Sequence, residues 1–309
     1  MFFIIDNYKK IFFVIFILLK LLHQGKVKDV YYNSNNNENK NTLLFVFSDR
    51  ISAFDVKMKQ EVPKKGEILC KFAKFWFDNL NVEHHMIKTI DANKMLVEHL
   101  SMIPIECVVR GYFYGSLVDR YNNNKIDWKN SQDFQILSHN FDPVIASKLS
   151  EPLFDPTTKS LDHDIPISKN EVISSNILSK NDFDFLKNKS IELYLKMSKI
   201  VNMAGFLLAD VKFEFGFNRK GVIVLGDSLG PDEYRIWKND YYQKGSIQES
   251  YDKQILRDWL TTMGFKKEID ESKSYNKKPA PPQLPSSLIE KISKRYILAY
   301  EMITGDNIR

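Results

Sequence analysis

The sequence predicts an α+β fold, and three stretches carry that expectation. In residues 207–216, Val211, Phe213 and Phe215 alternate with Asp210, Lys212 and Glu214, the period of a strand with one apolar and one charged face. Residues 218–221 read as a turn and 222–225 as a second apolar run, so the two runs predict a hairpin that carries Asp227 back toward Lys212 and Glu214. Residues 25–32 and 42–47 are rich in strand formers and flank a polar, Asn-rich stretch, which predicts a second hairpin with a long tip. Helices enter through residues 181–204, where Leu193, Met197, Ile200 and Val201 follow helical spacing up to a stop at Gly205.

Composition narrows the class. A chain of 309 residues with 43% hydrophobic and 27% charged side chains is an ordinary globular protein with room for about two domains. The net charge of +5, from 44 basic and 39 acidic residues, suits an anionic small molecule and gives no argument for a nucleic-acid partner. Cys70 and Cys107 lie far apart in apolar settings, which predicts buried thiols rather than a disulfide or a zinc site. Residues 11–19 form an apolar run after Lys9 and Lys10 with no small-residue cleavage site behind it, too short to cross a bilayer. Residues 1–20 are therefore expected to lie outside the fold, as an extension or a misassigned start, with no stable membrane insertion.

The elements follow in chain order. Gly25, with Lys26 and Lys28 beside it, sits where a glycine between strands lets backbone N–H groups approach phosphates. The polar segment after the next strand (Ser48, Asp49, Arg50, Ser52, Asp55) is either a site loop or a capped turn. Residues 68–80 predict a helix with Leu69, Phe72, Phe75 and Trp76 inward, while His84 and His85 have no partner at metal-ligand spacing and are assigned to the surface. Residues 103–109 predict a buried strand. Arg110 at its end, then Gly115 and Ser116 opening a helix, form either a cradle for a phosphate monoester or an arginine paired with an acidic neighbour. Two prolines make residues 149–159 extended, and Arg235 is expected to return to the same site. Residues 250–260 predict a helix, 277–285 a proline-rich connector, and Ser287 with Glu290 a capping box opening a last helix that Gly305 ends. Glu214 and Asp227 beside Lys212 suit a magnesium ion carrying phosphate oxygens; the alternative is an exposed strand face with a salt bridge.

Read together, the segments resemble the SAICAR synthetase family, in its longer yeast-type branch, over roughly residues 21–305. The resemblance runs through Gly25-Lys-Val-Lys-Asp29, Ser48-Asp-Arg-Ile-Ser-Ala-Phe-Asp55, Val109-Arg-Gly-Tyr112 and Gly115-Ser116. It continues in Leu149-Ser-Glu-Pro152, Thr158-Lys159, His163-Asp164, Ala209-Asp-Val-Lys-Phe-Glu-Phe-Gly216, Ser250-Tyr-Asp-Lys-Gln254 and Leu256-Arg-Asp-Trp-Leu260. The resemblance implies an antiparallel β-rich amino-terminal lobe (residues 21–108), a larger α/β lobe for substrate and metal (109–285), a carboxy-terminal helix packed on the fold (286–309), and ATP in the cleft between the lobes. It implies a cytoplasmic ligase that joins L-aspartate to the carboxylate of CAIR (carboxyaminoimidazole ribonucleotide), using ATP and Mg²⁺. Gly25, Lys26, Lys28 and Glu106 would then hold ATP, and Glu214 and Asp227 the magnesium. Lys212 and Asp210 would serve the reacting groups, and Arg110, Gly115, Ser116 and Arg235 would clamp the 5′-phosphate. Ser48, Asp49, Arg50, Ser52, Asp55, Lys159 and Asp164 would recognise aspartate and the imidazole. The chain departs from the family pattern at Ser228, where an acidic residue is usual, Gly230, where serine or threonine is usual, Glu233, where serine is usual, and Val211, where threonine is usual in the yeast-type branch, and its segment from Lys159 to Asp164 is a little short. The rival readings are a related small-molecule phosphotransferase and a catalytically impaired nucleotide-binding homologue.

Overall fold

The computed structural model describes residues 19–33, 41–126, 144–159, 165–272 and 279–308. His163 and Asp164 therefore lie outside the described residues, as does most of the expected amino-terminal extension. The amino-terminal part is antiparallel: β1 (Leu19–Gln24), β2 (Lys28–Asn33) and β3 (Thr42–Phe47) form a meander, and β4 (Arg50–Ala53) and β5 (Val56–Glu61) a small separate hairpin. Helix α1 (Lys65–Asn79) leads to the hairpin of β6 (Met86–Asp91) and β7 (Lys94–Glu98), which completes a sheet in the order β1-β2-β3-β7-β6. β3 buries alternate residues Leu43, Phe45 and Phe47 in one core with Ile68, Leu69, Phe72 and Trp76 of α1. One boundary shifts: Leu19 and Lys20, expected outside the fold, pair with Asn33 and Tyr32 in β1.

A second sheet is built on two long central strands, β8 (Ser101–Tyr112) and β11 (Phe206–Phe217). Between them in sequence come α2 (Ser116–Asn122), β9 (Lys148–Phe154), β10 (Thr157–Thr158), α3 (Lys169–Ser174) and α4 (Lys180–Met203). β9 and β10 pair with β8, while β12 (Ile223–Leu225) and β13 (Tyr234–Lys238) pair with β11. The predicted hairpin of β11 and β12 is present, with Phe215 opposite Leu225. The β8–β11 register sets Arg110 opposite Asp210 and Glu106 opposite Glu214, so two candidate clusters share one ladder. Helices α5 (Gln254–Thr262), α6 (Phe265–Ser272) and α7 (Ser286–Thr304) follow.

The capping box expected at Ser287 does not form, because α7 starts two residues earlier, directly after Pro285, with no side-chain cap. A capping box forms instead at the start of α3, between Ser168 and Glu171. Gly305 ends α7 in the left-handed conformation (φ 78°), as its position predicts. Cys70 and Cys107 are buried free thiols, each pushed up to about 12 by burial. Among the described residues no helix is long and apolar enough to cross a membrane.

Candidate functional site

The β1–β2 turn is a tied glycine loop. The Gly25 N–H donates to the Lys28 carbonyl (2.8 Å), and a Cβ on Gly25 would stand 2.6 Å from that oxygen, so the turn needs glycine. Ser48 donates its hydroxyl to the Val27 carbonyl (2.8 Å). Arg50 donates to the Gly25 carbonyl (3.2 Å) and forms a two-point pair with Asp29 at 2.6 and 3.2 Å. Asp55 pairs with Lys26, and Asp49 accepts the Gly66 N–H (2.8 Å) at the start of α1. Much of the polar segment thus holds the loop and a helix end in place. Ser52 is buried and receives Lys253 at 3.5 Å.

The charged face of β11 is not an exposed surface. Asp210 and Glu214 are only 6% and 8% exposed, which overturns the solvated-face alternative. Lys212 donates to Glu106 (2.6 Å), whose other oxygen accepts from Thr157 (3.3 Å). Lys159 pairs with Glu214, and Lys28 pairs with Asp227 and reaches the Ser228 hydroxyl at 3.1 Å. The Gly226 N–H donates to the Glu214 carbonyl (2.8 Å), which delivers Asp227 beside that strand end. Burial pushes Glu214 up, but Lys159 and Lys212 outweigh it and the carboxyl ends below its ordinary value. Burial brings Lys28 down to about 8 against the opposing pull of Glu233 and Glu214. Glu233 is pushed up to about 7 by burial and by Asp232, and its Oε2 is buried without a hydrogen-bond partner.

Both histidines assigned to the surface pack inward. His84 is half-buried against the Phe77 ring, 4.8 Å between centroids. His85 is 3% exposed and its Nε2 lies 2.9 Å from the Asp227 carbonyl oxygen. The cause is local: the His85 N–H donates to Leu225 (3.0 Å), so the segment runs beside β12 and turns the ring between Phe45 and Phe77. Burial, with Lys28 adding, brings His85 down to about 3.

At the other end of the ladder lies an arginine cluster. Arg110, 4% exposed, donates to Asp155 (2.6 Å), Asp210 (3.5 Å) and the Ser116 hydroxyl (3.0 Å). Arg120 also pairs with Asp155, and Arg235 with Asp210. Arg110 therefore has the acidic partners of one reading and, in Ser116, the helix-start neighbour of the other. Gly115 (φ 62°) opens α2, and a Cβ there would lie 2.6 Å from an Arg235 nitrogen. Gln254 accepts from Arg235 (3.2 Å) and Arg257 (3.4 Å), so Gln254 and Arg257, which the sequence offered only as parts of a motif without a role, join the cluster with Arg120, which the sequence did not point to. Gln254 and Arg257 stand three apart on α5, the spacing of one helix face, which is the signal that points to them. Asp252 locks α5 to β13 by accepting the Ile236 N–H (2.9 Å) and the Gln254 N–H (2.7 Å).

Glu214 and Asp227 bring two carboxylates, each beside a lysine, to one end of the β11–β12 hairpin. Among the described residues no group of three or more His, Cys, Asp or Glu side chains could hold a metal alone. Two carboxylates fit magnesium, which completes its shell with water and phosphate oxygens rather than with a protein cage.

The sequence model of the SAICAR synthetase family matches residues 21–272. A relative from Nitrosopumilus maritimus named phosphoribosylaminoimidazole-succinocarboxamide synthase is 49% identical over 290 residues, covering 94% of this chain and 100% of its own. One of the same name from Candida maltosa is 34% identical and covers 93% of this chain and 95% of its own. The solved SAICAR-synthase from Saccharomyces cerevisiae, complexed with SAICAR, shares the fold at a TM-score of 0.75 and 30% identity, over 94% of this chain and 96% of that one. Matched nearly end to end by these relatives, the chain belongs to the SAICAR synthetase family, ATP-dependent ligases of purine biosynthesis.

Proposed function

We propose that the chain joins L-aspartate to the carboxylate of CAIR, converting ATP to ADP and phosphate and releasing SAICAR. The observation that carries this reading is the shared β8–β11 ladder, with guanidinium groups at Asp210 and a lysine–carboxylate cluster at Glu214. The two ends are four residues apart, about 13 Å along an extended strand. A nucleotide monophosphate laid along β11 meets Arg110, Ser116 and Arg235 with its phosphate, and Gly115 leaves Arg235 the room to reach it. Its base-borne carboxylate then faces Lys212, Glu214 and Asp227. Gly25, Lys26, Lys28 and Glu106 take the ATP side.

A carboxylate resists attack by an amine because its oxygen is a poor leaving group. Phosphoryl transfer from ATP cures that, and the protein's part is positioning and charge neutralisation. Lys28 and Lys212 neutralise phosphoryl oxygens, and Asp210 holds Arg235. Glu214 and Asp227 would hold Mg²⁺, which supplies further neutralisation of the phosphates when bound. Ser52, Lys159 and Asp164 are assigned to aspartate and the imidazole, while Ser48, Asp49, Arg50 and Asp55 act by fixing the loops around them. A cytoplasmic location is part of the same reading.

The test is ADP release with CAIR and aspartate supplied separately and together. Turnover is expected only with both. Turnover that needs an alcohol acceptor and no aspartate would establish a phosphotransferase instead, and nucleotide binding with no ADP release a silent homologue.

A further inference from the structure

Asp227 carries one of the two carboxylates assigned to a cation, and its backbone sits in the left-handed region (φ 55°), which aspartate visits more readily than most side-chain-bearing residues. Where its carboxylate points depends on what holds that backbone. Gly226 before it is fixed through its N–H to Glu214, and the carboxylate is held by Lys28. The carboxylate also accepts the Ser228 hydroxyl (3.3 Å), and the Asp227 carbonyl faces the buried His85 ring at 2.9 Å.

We propose that His85 is a positioning residue for the divalent cation: its Nε2–H, donated to the Asp227 carbonyl, fixes the backbone that aims the Asp227 carboxylate. A carbonyl oxygen only accepts, so this hydrogen bond requires the ring proton on Nε2. The ring itself cannot swing. The His85 N–H donates to Leu225 (3.0 Å), its carbonyl accepts the Glu98 N–H (2.7 Å), and Phe45 and Phe77 meet it edge-on at 5.5 and 5.7 Å. The histidine is thus bonded into the same β12 segment whose end it steadies, and a displacement of either would be felt by the other. This inference rests on the assignment of Asp227 as a cation ligand made above.

The test compares, in the full-length protein, His85→Phe, which keeps an aromatic ring and loses the donor, with His85→Gln, whose amide restores one. Outer-shell partners of a metal ligand govern affinity, so the Mg²⁺ concentration for half-maximal thermal stabilisation by ADP should rise about tenfold or more in His85→Phe. It should return toward the wild-type value in His85→Gln. A role in packing alone predicts a lower melting temperature with the Mg²⁺ requirement unmoved, and that result overturns the proposal. Wild-type protein labelled with ¹⁵N on histidine gives a check that needs no folded variant: the Nε2–H tautomer is expected, and the Nδ1–H tautomer refutes the hydrogen bond. Neither stabilisation by Mg²⁺ and ADP nor the tautomer requires turnover. A chain that shows both but does not join CAIR to aspartate refutes the proposed reaction and leaves the role of His85 standing.

Discussion

Gly115→Ala isolates the phosphate clamp. Gly115 has φ 62° and ψ −139°, a combination that only glycine occupies without strain, so alanine costs on the order of 1–3 kcal/mol in the backbone alone. The new Cβ would stand 2.6 Å from one Arg235 nitrogen and 2.9 Å from the guanidinium carbon and the other nitrogen, so the whole group has to move. Arg235 then leaves the position set by Asp210 and Gln254. A charge-assisted contact to a phosphate is worth about 1.5–3 kcal/mol, so the KM for CAIR should rise roughly 10- to 150-fold. The KM values for ATP and aspartate should stay within a few-fold, and kcat should fall less than KM rises. Steady-state kinetics with each substrate varied, beside a thermal melt, makes the measurement. An unchanged KM for CAIR in a folded variant, or a parallel rise for ATP, would refute the assignment of Arg235 to the CAIR phosphate. Arg110→Ala is a poorer probe, since it leaves Asp155 and Asp210 without one of their cations in the interior and so costs about 3–5 kcal/mol of stability.

Glu214→Gln and Asp227→Asn should each lose most turnover while remaining folded; wild-type rates at low Mg²⁺ in either variant would remove that carboxylate from the cation site. Glu233 gives a pH prediction. Its folded value is raised from 4.5 to about 7, so its contribution to stability is complete below pH 4.5 and is lost as pH rises through 7. That loss is on the order of 3 kcal/mol. Glu233→Gln should therefore melt close to wild type at pH 4.5 and well above it at pH 8; a difference that does not widen over that window counts against the buried, proton-holding carboxyl.

Local periodicity and turn chemistry made most of the fold legible. The β11–β12 hairpin, α4, and the left-handed stop at Gly305 each follow from patterns spanning a few residues. The candidate site was legible as residue types and only partly as geometry. Lys28 meets Asp227 across 199 positions of chain, and nothing local to either announces the partner. Arg50 looked available for substrate, but the folding of β2 against β3 commits it to Asp29 and Gly25. His85 reads as a surface residue in the sequence because its burial depends on β12 running alongside it, a contact between distant segments. β1 escaped for a different reason: as an edge strand with five of its six residues exposed, it carries no alternation to read.

The pairing of lysines with carboxylates has a consequence for what can enter. Lys28 with Asp227, Lys159 with Glu214 and Lys212 with Glu106 each form a neutral couple before any ligand arrives. A bare anion could take a lysine only by leaving a carboxylate stranded in the interior, an exchange that costs more than it returns. The proposed magnesium–nucleotide complex is itself a couple, and it can swap partners: phosphate to lysine, metal to carboxylate, with every charge still matched. Metal and nucleotide should therefore enter as one unit, and the pocket should stay indifferent to free phosphate or sulfate, which carry only half of the exchange.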